Sequence, residues 1–172
     1  MTAALNFTHQ FIPGSSERTL LLLHGTGGDE HQLLALGREL DPAAALLCPR
    51  GQVSENGHLR FFRRFAEGVF DLEDLRKRTD DLAEFIGAAA AHYQLAPEKI
   101  VAVGYSNGAN IAASGSLRCP GTARTGGSFR PMVPVPPETP PGVPGVRVWT
   151  GRGTAGRGRV AGGRETPAAQ RR

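Results

Sequence analysis

Three apolar runs of strand length divide the first two thirds of the chain: Thr19-Leu20-Leu21-Leu22-Leu23, Ala43 to Cys48, and Ile100-Val101-Ala102-Val103. Each is continuous rather than alternating, the pattern of strands covered by helices on both faces of a parallel sheet. Between them the period changes. Asp29 to Leu40 reads as a helix, with Leu33, Leu34, Leu36 and Leu40 mostly on one face and Asp41-Pro42 as its stop. Asp71 to Tyr93 reads as the longest helix, with Leu72, Leu75, Leu82, Phe85, Ile86 and Ala89 near a 3.6-residue spacing and Asp71 or Asp74 as its cap. A third helix is expected from the small residues Ala109 to Ala113. Phe7 to Ile12 suggests a further short strand, and Pro13-Gly14-Ser15-Ser16 a turn. Gln52 to Val69 reads as a polar, irregular loop. Strand and helix alternate throughout, so the fold class expected is α/β, a mostly parallel sheet with helices on both faces.

The length of 172 residues suits one domain, and 40% hydrophobic residues suffice for a core. No apolar run approaches the ~20 residues of a membrane span. The N-terminus, Met1-Thr-Ala-Ala-Leu-Asn, lacks a basic stretch leading into an apolar one, and two cysteines make neither a disulfide framework nor a zinc site. The expectation is a cytoplasmic protein with no membrane partner. Charge changes the picture more. Residues 1–116 hold ten Lys/Arg and fourteen Asp/Glu, whereas residues 117–172 hold ten Arg, no Lys and two Glu. The last 56 residues also contain eleven Gly and nine Pro. The expected organisation is therefore a core over 1–116 and an Arg/Gly/Pro-rich, disordered tail over 117–172, with strand remnants near 129–135 and 146–149.

The chemistry centres on Gly104-Tyr105-Ser106-Asn107-Gly108, a G-x-S-x-G pattern between an apolar strand and a small-residue helix. A sharp strand-to-helix turn lifts its serine clear of the sheet, and Gly104 and Gly108 let the two elements approach. Ser106 then stands at a helix N-terminus, where free N–H groups favour developing negative charge. His24-Gly25-Thr26-Gly27-Gly28-Asp29 follows the leucine strand directly. A glycine-rich loop there supplies one oxyanion donor and the residue after the serine the other, which nominates the backbone N–H groups of Thr26 and Asn107. A phosphate loop would end in G-K-[ST], which is missing. His24 precedes the serine and is read as structural. Asp80 and Asp81 point two ways and belong to a solvated face. In Phe61-Phe62-Arg63-Arg64-Phe65 aromatic and basic residues interleave, but five residues without an RNP pattern do not make a nucleic-acid site. Phe61, Phe62 and Phe65 are instead expected to wall an apolar pocket.

These motifs resemble a known family. Leu-His-Gly-x-Gly-Gly-Asp-Glu (Leu23 to Glu30), Pro-Arg-Gly-x-Val-Ser-Glu-Asn-Gly (Pro49 to Gly57), Arg-Phe-Phe-Arg-Arg (Arg60 to Arg64), Gly-Val-Phe-Asp (Gly68 to Asp71) and Gly-Tyr-Ser-Asn-Gly-Ala-Asn-Ile-Ala (Gly104 to Ala112) are similar to those of the phospholipase/carboxylesterase family of α/β-hydrolases, including small bacterial carboxylesterases linked to hydroquinone resistance. The match covers about residues 18–116 and resumes more weakly at Phe129 to Val135 and Val146 to Trp149. The resemblance implies a Ser-Asp-His hydrolase of short carboxylic esters that needs no cofactor and no metal. It implies an Asp just after the strand matching Val146 to Trp149 and a His near the C-terminus.

Neither is present: all five histidines (His9, His24, His31, His58, His92) and all six aspartates precede Ser106. Thr150-Gly-Arg-Gly-Thr154 stands where Gly-x-x-Asp-Pro is expected. A reading frame lost, recovered and lost again would produce such a tail, and resequencing the coding DNA tests that. His58 and His92 are the substitute bases to consider, with His92 assigned first to the helix C-terminus. The expectation is an incomplete serine hydrolase, inactive or weakly active, acting on a small-molecule ester. The alternative is a non-catalytic scaffold whose basic tail binds nucleic acid or another polyanion through charge.

Overall fold

The computed structural model describes residues 5–118 and 124–129, and the side chains of residues 5–116. The proposed remnant at 146–149, the part of 129–135 beyond Phe129, Cys119 and most of the tail lie outside the described residues.

The centre is a five-stranded sheet in the order β1-β3-β2-β8-β9. Its strands are β1 (His9–Ile12), β2 (Thr19–Leu23), β3 (Ala45–Pro49), β8 (Ile100–Tyr105) and β9 (Arg124–Phe129). β2 runs parallel to β3 and β8, β8 runs parallel to β9, and β1 pairs antiparallel with β3 at the edge. All five residues of β2 and of β3 are buried, which explains their unbroken apolar runs. Alternate leucines serve opposite faces. Leu21, Leu23 and Leu47 enter one core with Phe85, Ile86 and Ile111, whereas Leu20, Leu22 and Leu46 enter a second with Leu33 and Leu34 against it. α2 (Leu72–Tyr93) and α3 (Asn107–Arg118) thus cover the first face and α1 (Leu34–Leu40) the second. Each fully buried leucine contributes roughly 1.5–3 kcal/mol. No helix among the described residues is long and apolar enough to cross a membrane.

α2 begins where its sequence indicates: the Asp71 carboxylate accepts from the Asp74 N–H at 3.0 Å. It ends at Gln94, whose φ of 56° is the left-handed closing conformation.

Two expectations need correction. The helix expected over Asp29 to Leu40 is formed only over Leu34–Leu40. Residues 29–33 turn instead, because Asp29 Oδ1 accepts from His31 N–H at 2.9 Å and Gln32 Oε1 accepts from Gly25 N–H at 2.9 Å. Side chains that bond nearby backbone compete with helix formation. The segment Gln52 to Val69 is also not irregular. It forms two hairpins, β4 (Val53–Glu55) with β5 (His58–Arg60) and β6 (Arg64–Ala66) with β7 (Val69–Phe70). The first turns at Asn56 (φ 50°) and Gly57 (φ 81°), the Asn-Gly pair that a two-residue hairpin favours.

Candidate active site

β8 delivers its last residue, Tyr105, into a turn, and α3 starts two residues later. Ser106, between them, has φ 52°, a left-handed conformation rare for a residue with a Cβ. The closeness of the elements enforces it. A Cβ on Gly108 would lie 2.1 Å from the Leu23 carbonyl oxygen and 2.5 Å from that of His24. One on Gly104 would lie 2.5 Å from the Gly108 oxygen. The helix start therefore presses against the end of β2, where the His24–Gly28 loop begins. The Ser106 carbonyl accepts from Asn110 N–H at 3.1 Å, closing the first helical turn.

The loop is held from three sides. His24, 1% exposed, donates from Nδ1 to the Gly25 carbonyl at 2.7 Å and accepts at Nε2 from Gly51 N–H at 2.9 Å. That pair of bonds selects one neutral tautomer, and burial pushes the imidazole below its ordinary pKa. Gly27 N–H donates to the Leu59 carbonyl at 2.9 Å and Gly28 N–H to that of Gly25 at 3.0 Å. Thr26 Oγ1 accepts from Arg60 Nη1 at 2.5 Å. Among the described residues these main-chain bonds leave the Thr26 N–H without an acceptor. The Asn107 N–H is a first-turn donor with no acceptor inside its helix. The Asn107 side chain, 2% exposed, accepts at Oδ1 from Phe61 N–H at 2.6 Å, and its Nδ2 has no partner among the described residues.

The five histidines are all described. His9 sits between the Phe7 carbonyl and the Tyr93 hydroxyl, both at 2.8 Å. His24 is engaged as above, and His31 lies 3.6 Å from Asp29 and Glu30. His92, in the last turn of α2, packs edge-on against Tyr93. His58 is exposed on β5, its Nδ1 3.1 Å from where a Gly27 Cβ would stand. Of the two substitute bases, His58 is thus beside the loop. None of the partners named for these rings is Ser106. Another nucleophile is excluded at Cys48: burial pushes its thiol up to about 12.

The three phenylalanines part company. Phe61 packs against the His24 ring at 4.7 Å and Phe62 against Phe70 at 5.4 Å, both within the core. Phe65 is 76% exposed on β6. The structure brings Phe61 to the serine loops and leaves Phe65 outside. Asp29, Glu30 and His31 hold ligand atoms within 4.8 Å of one another. Both Glu30 oxygens, however, accept from Arg50 at 2.5 Å, a bidentate pair that pulls Glu30 down to about 2.

Sequence reasoning missed Arg60, which is 2% exposed. Arg60 stood only as the first residue of Arg-Phe-Phe-Arg-Arg, and an Arg in a polar segment carries no signal of burial. The hairpin that buries it was legible only from Asn56-Gly57.

No family model matches the chain. It is 49% identical over 145 residues to MhqD of Bacillus subtilis (strain 168), whose name assigns it provisionally to the hydrolases; the alignment covers 84% of this chain and 72% of the relative. Among solved structures, the Bacillus cereus carboxylesterase superposes with a TM-score of 0.72 at 49% identity over 73% of this chain. The chain spans 60% of that enzyme's length. Protein Atu2452 of Agrobacterium tumefaciens str. C58, of unknown function, superposes with a TM-score of 0.74 at 40% identity, covering 87% of this chain and 72% of its own. With the elbow, the glycine loop and the two-faced sheet, these likenesses identify the chain as a member of the phospholipase/carboxylesterase family of α/β-hydrolases.

Proposed function

We propose that the chain is a serine-type carboxylic ester hydrolase whose nucleophile is Ser106 and whose turnover is weak. The observation that carries this is the left-handed Ser106 turn set against the His24–Gly28 loop. The identity to a carboxylesterase supports the substrate class, a short carboxylic ester. In this reading Ser106 Oγ bonds to the ester carbonyl carbon, and the carbonyl oxygen becomes an oxyanion received by the Thr26 and Asn107 N–H groups. The C–O bond to the alcohol then breaks, the alcohol leaves protonated, and water hydrolyses the acyl-serine. Elsewhere in the fold class a histidine takes the serine proton and an aspartate orients it. Residues 107–172 contain neither, and in this reading water or hydroxide takes that proton. Oxyanion stabilisation and binding alone retain ~10³–10⁴-fold over water.

The test is hydrolysis of a short chromogenic ester beside Ser106→Ala. Slow turnover above the Ser106→Ala background supports the reading. Rates equal to that background overturn it.

A further inference from the structure

We propose that Arg60 is a positioning residue for the oxyanion loop: its buried guanidinium, carried on the β4–β5 hairpin, holds Thr26 in place through the threonine hydroxyl. The proposal rests on the reading of Thr26 as an oxyanion donor, but its first readout does not.

Arg60 is among the largest fully buried side chains described. Burying a guanidinium is expensive unless its donors are engaged. Nε donates to the Phe62 carbonyl at 3.1 Å and lies 3.3 Å from a Glu55 oxygen. The guanidinium carbon sits 5.7 Å from the Phe62 ring centre. Those contacts are local to the hairpin and the residues after it. The contact from Nη1 to Thr26 Oγ1, at 2.5 Å, is different: it crosses 34 residues of sequence to a loop on another element. Thr26 is exposed, so its own side chain gains little from packing and the loop there depends on hydrogen bonds. The neighbours of Arg60 act alongside it. The Leu59 carbonyl takes Gly27 N–H, and Phe61 N–H donates to Asn107 Oδ1. Three consecutive residues at the end of the hairpin, Leu59, Arg60 and Phe61, thus reach Gly27 and the two residues nominated as oxyanion donors, Thr26 and Asn107. A positive charge directly behind Thr26 also favours the negative charge that develops beside it.

Thr26→Val removes the acceptor and preserves the branched shape and the backbone N–H. Thr26→Ser restores the hydroxyl. Amide hydrogen exchange at Gly27 and Gly28 is the first readout, with β2 and β8 amides as internal controls. Thr26→Val is expected to speed Gly27 and Gly28 exchange roughly tenfold with the strand amides unchanged, and Thr26→Ser to restore wild-type protection. Arg60→Met should give a similar acceleration, and the double variant no more than the larger single effect. Thr26→Val exchange equal to wild type, Thr26→Ser as fast as Thr26→Val, or additive effects in the double variant would each overturn the proposal. If Arg60→Met does not fold, the Thr26 pair still decides. In ester hydrolysis Thr26→Val should lower kcat roughly tenfold with KM nearly unchanged. Absence of any Ser106-dependent hydrolysis would sink the esterase reading alone, and the exchange data would still judge Arg60.

Discussion

The two sides of Ser106 are built to different standards. On the side that would receive an oxyanion, every loop is tied: His24 to Gly25 and Gly51, Gly27 to Leu59, Thr26 to Arg60, Asn107 to Phe61. On the side that would take a proton, the five histidines have other settings, three with named hydrogen-bond or ionic partners and two exposed on β5 and at the end of α2. The contrast teaches that an acyl-transfer site is two devices. The proposed cradle draws on segments near β2 and β8, at the centre of the sheet. The proton relay, in the family that this chain resembles, comes from strands that follow.

The largest effect that would break this contrast is chemical rescue. If the cradle works and only the base is lacking, free imidazole should raise Ser106-dependent hydrolysis by about tenfold or more, because a general base contributes ~10²–10⁴-fold when positioned. An unchanged rate would mean that the cradle itself is not competent. Without a protein base, log rate should rise with unit slope from pH 6 to 9. A bend in that line, removed by His58→Gln, would show a base on the β4–β5 hairpin and erase the contrast.

Packing comes next in size. Gly108→Ala should cost ~1–3 kcal/mol or more in chemical denaturation, since its Cβ meets main-chain oxygens rather than a movable side chain. A variant as stable as the wild type would mean that the elbow is looser than described. Smaller still is the strain at Ser106. Ser106→Gly should be more stable than Ser106→Ala by about 1 kcal/mol, because only glycine holds φ 52° without penalty. Equal stabilities would remove strain from the account.

The Glu30–Arg50 pair yields the mildest test. Glu30 has its folded pKa lowered from 4.5 to about 2, so its contribution to stability is present above pH 4.5 and is lost as pH falls from there toward 2. Glu30→Gln should flatten that part of the melting-temperature profile. An unaltered profile would show that the pair does not act in folding.

Much of the framework around Ser106 was legible beforehand, and for physical reasons. The apolar runs of β2 and β3 admit little but buried strands, and the glycines flanking Ser106 mark a turn that tolerates no Cβ. The capping of α2 by Asp71 was equally readable. What escaped was held by contacts between distant segments. Residues 29–33 have helical periodicity but are captured by Gly25 and Arg50, which no local pattern reports. Phe61 and Phe65 look alike in sequence, yet one lies against His24 and the other in solvent. Hairpins of three-residue strands are too short for periodicity to register, so the burial of Arg60 was not legible.

The register of the central strands has a consequence during synthesis. Thr19 pairs with Ile100 and Leu23 with Gly104, so β2 cannot gain its β8 neighbour until the ribosome has made the whole intervening chain. Until then β2 holds β3 on one side only, while its leucines are apolar toward both faces. A nascent chain in that state shows a sticky, half-paired ribbon to its surroundings, the kind of surface that holding chaperones capture. Translation speed between residues 24 and 100 should therefore bear on the yield of soluble protein more than translation speed before residue 19.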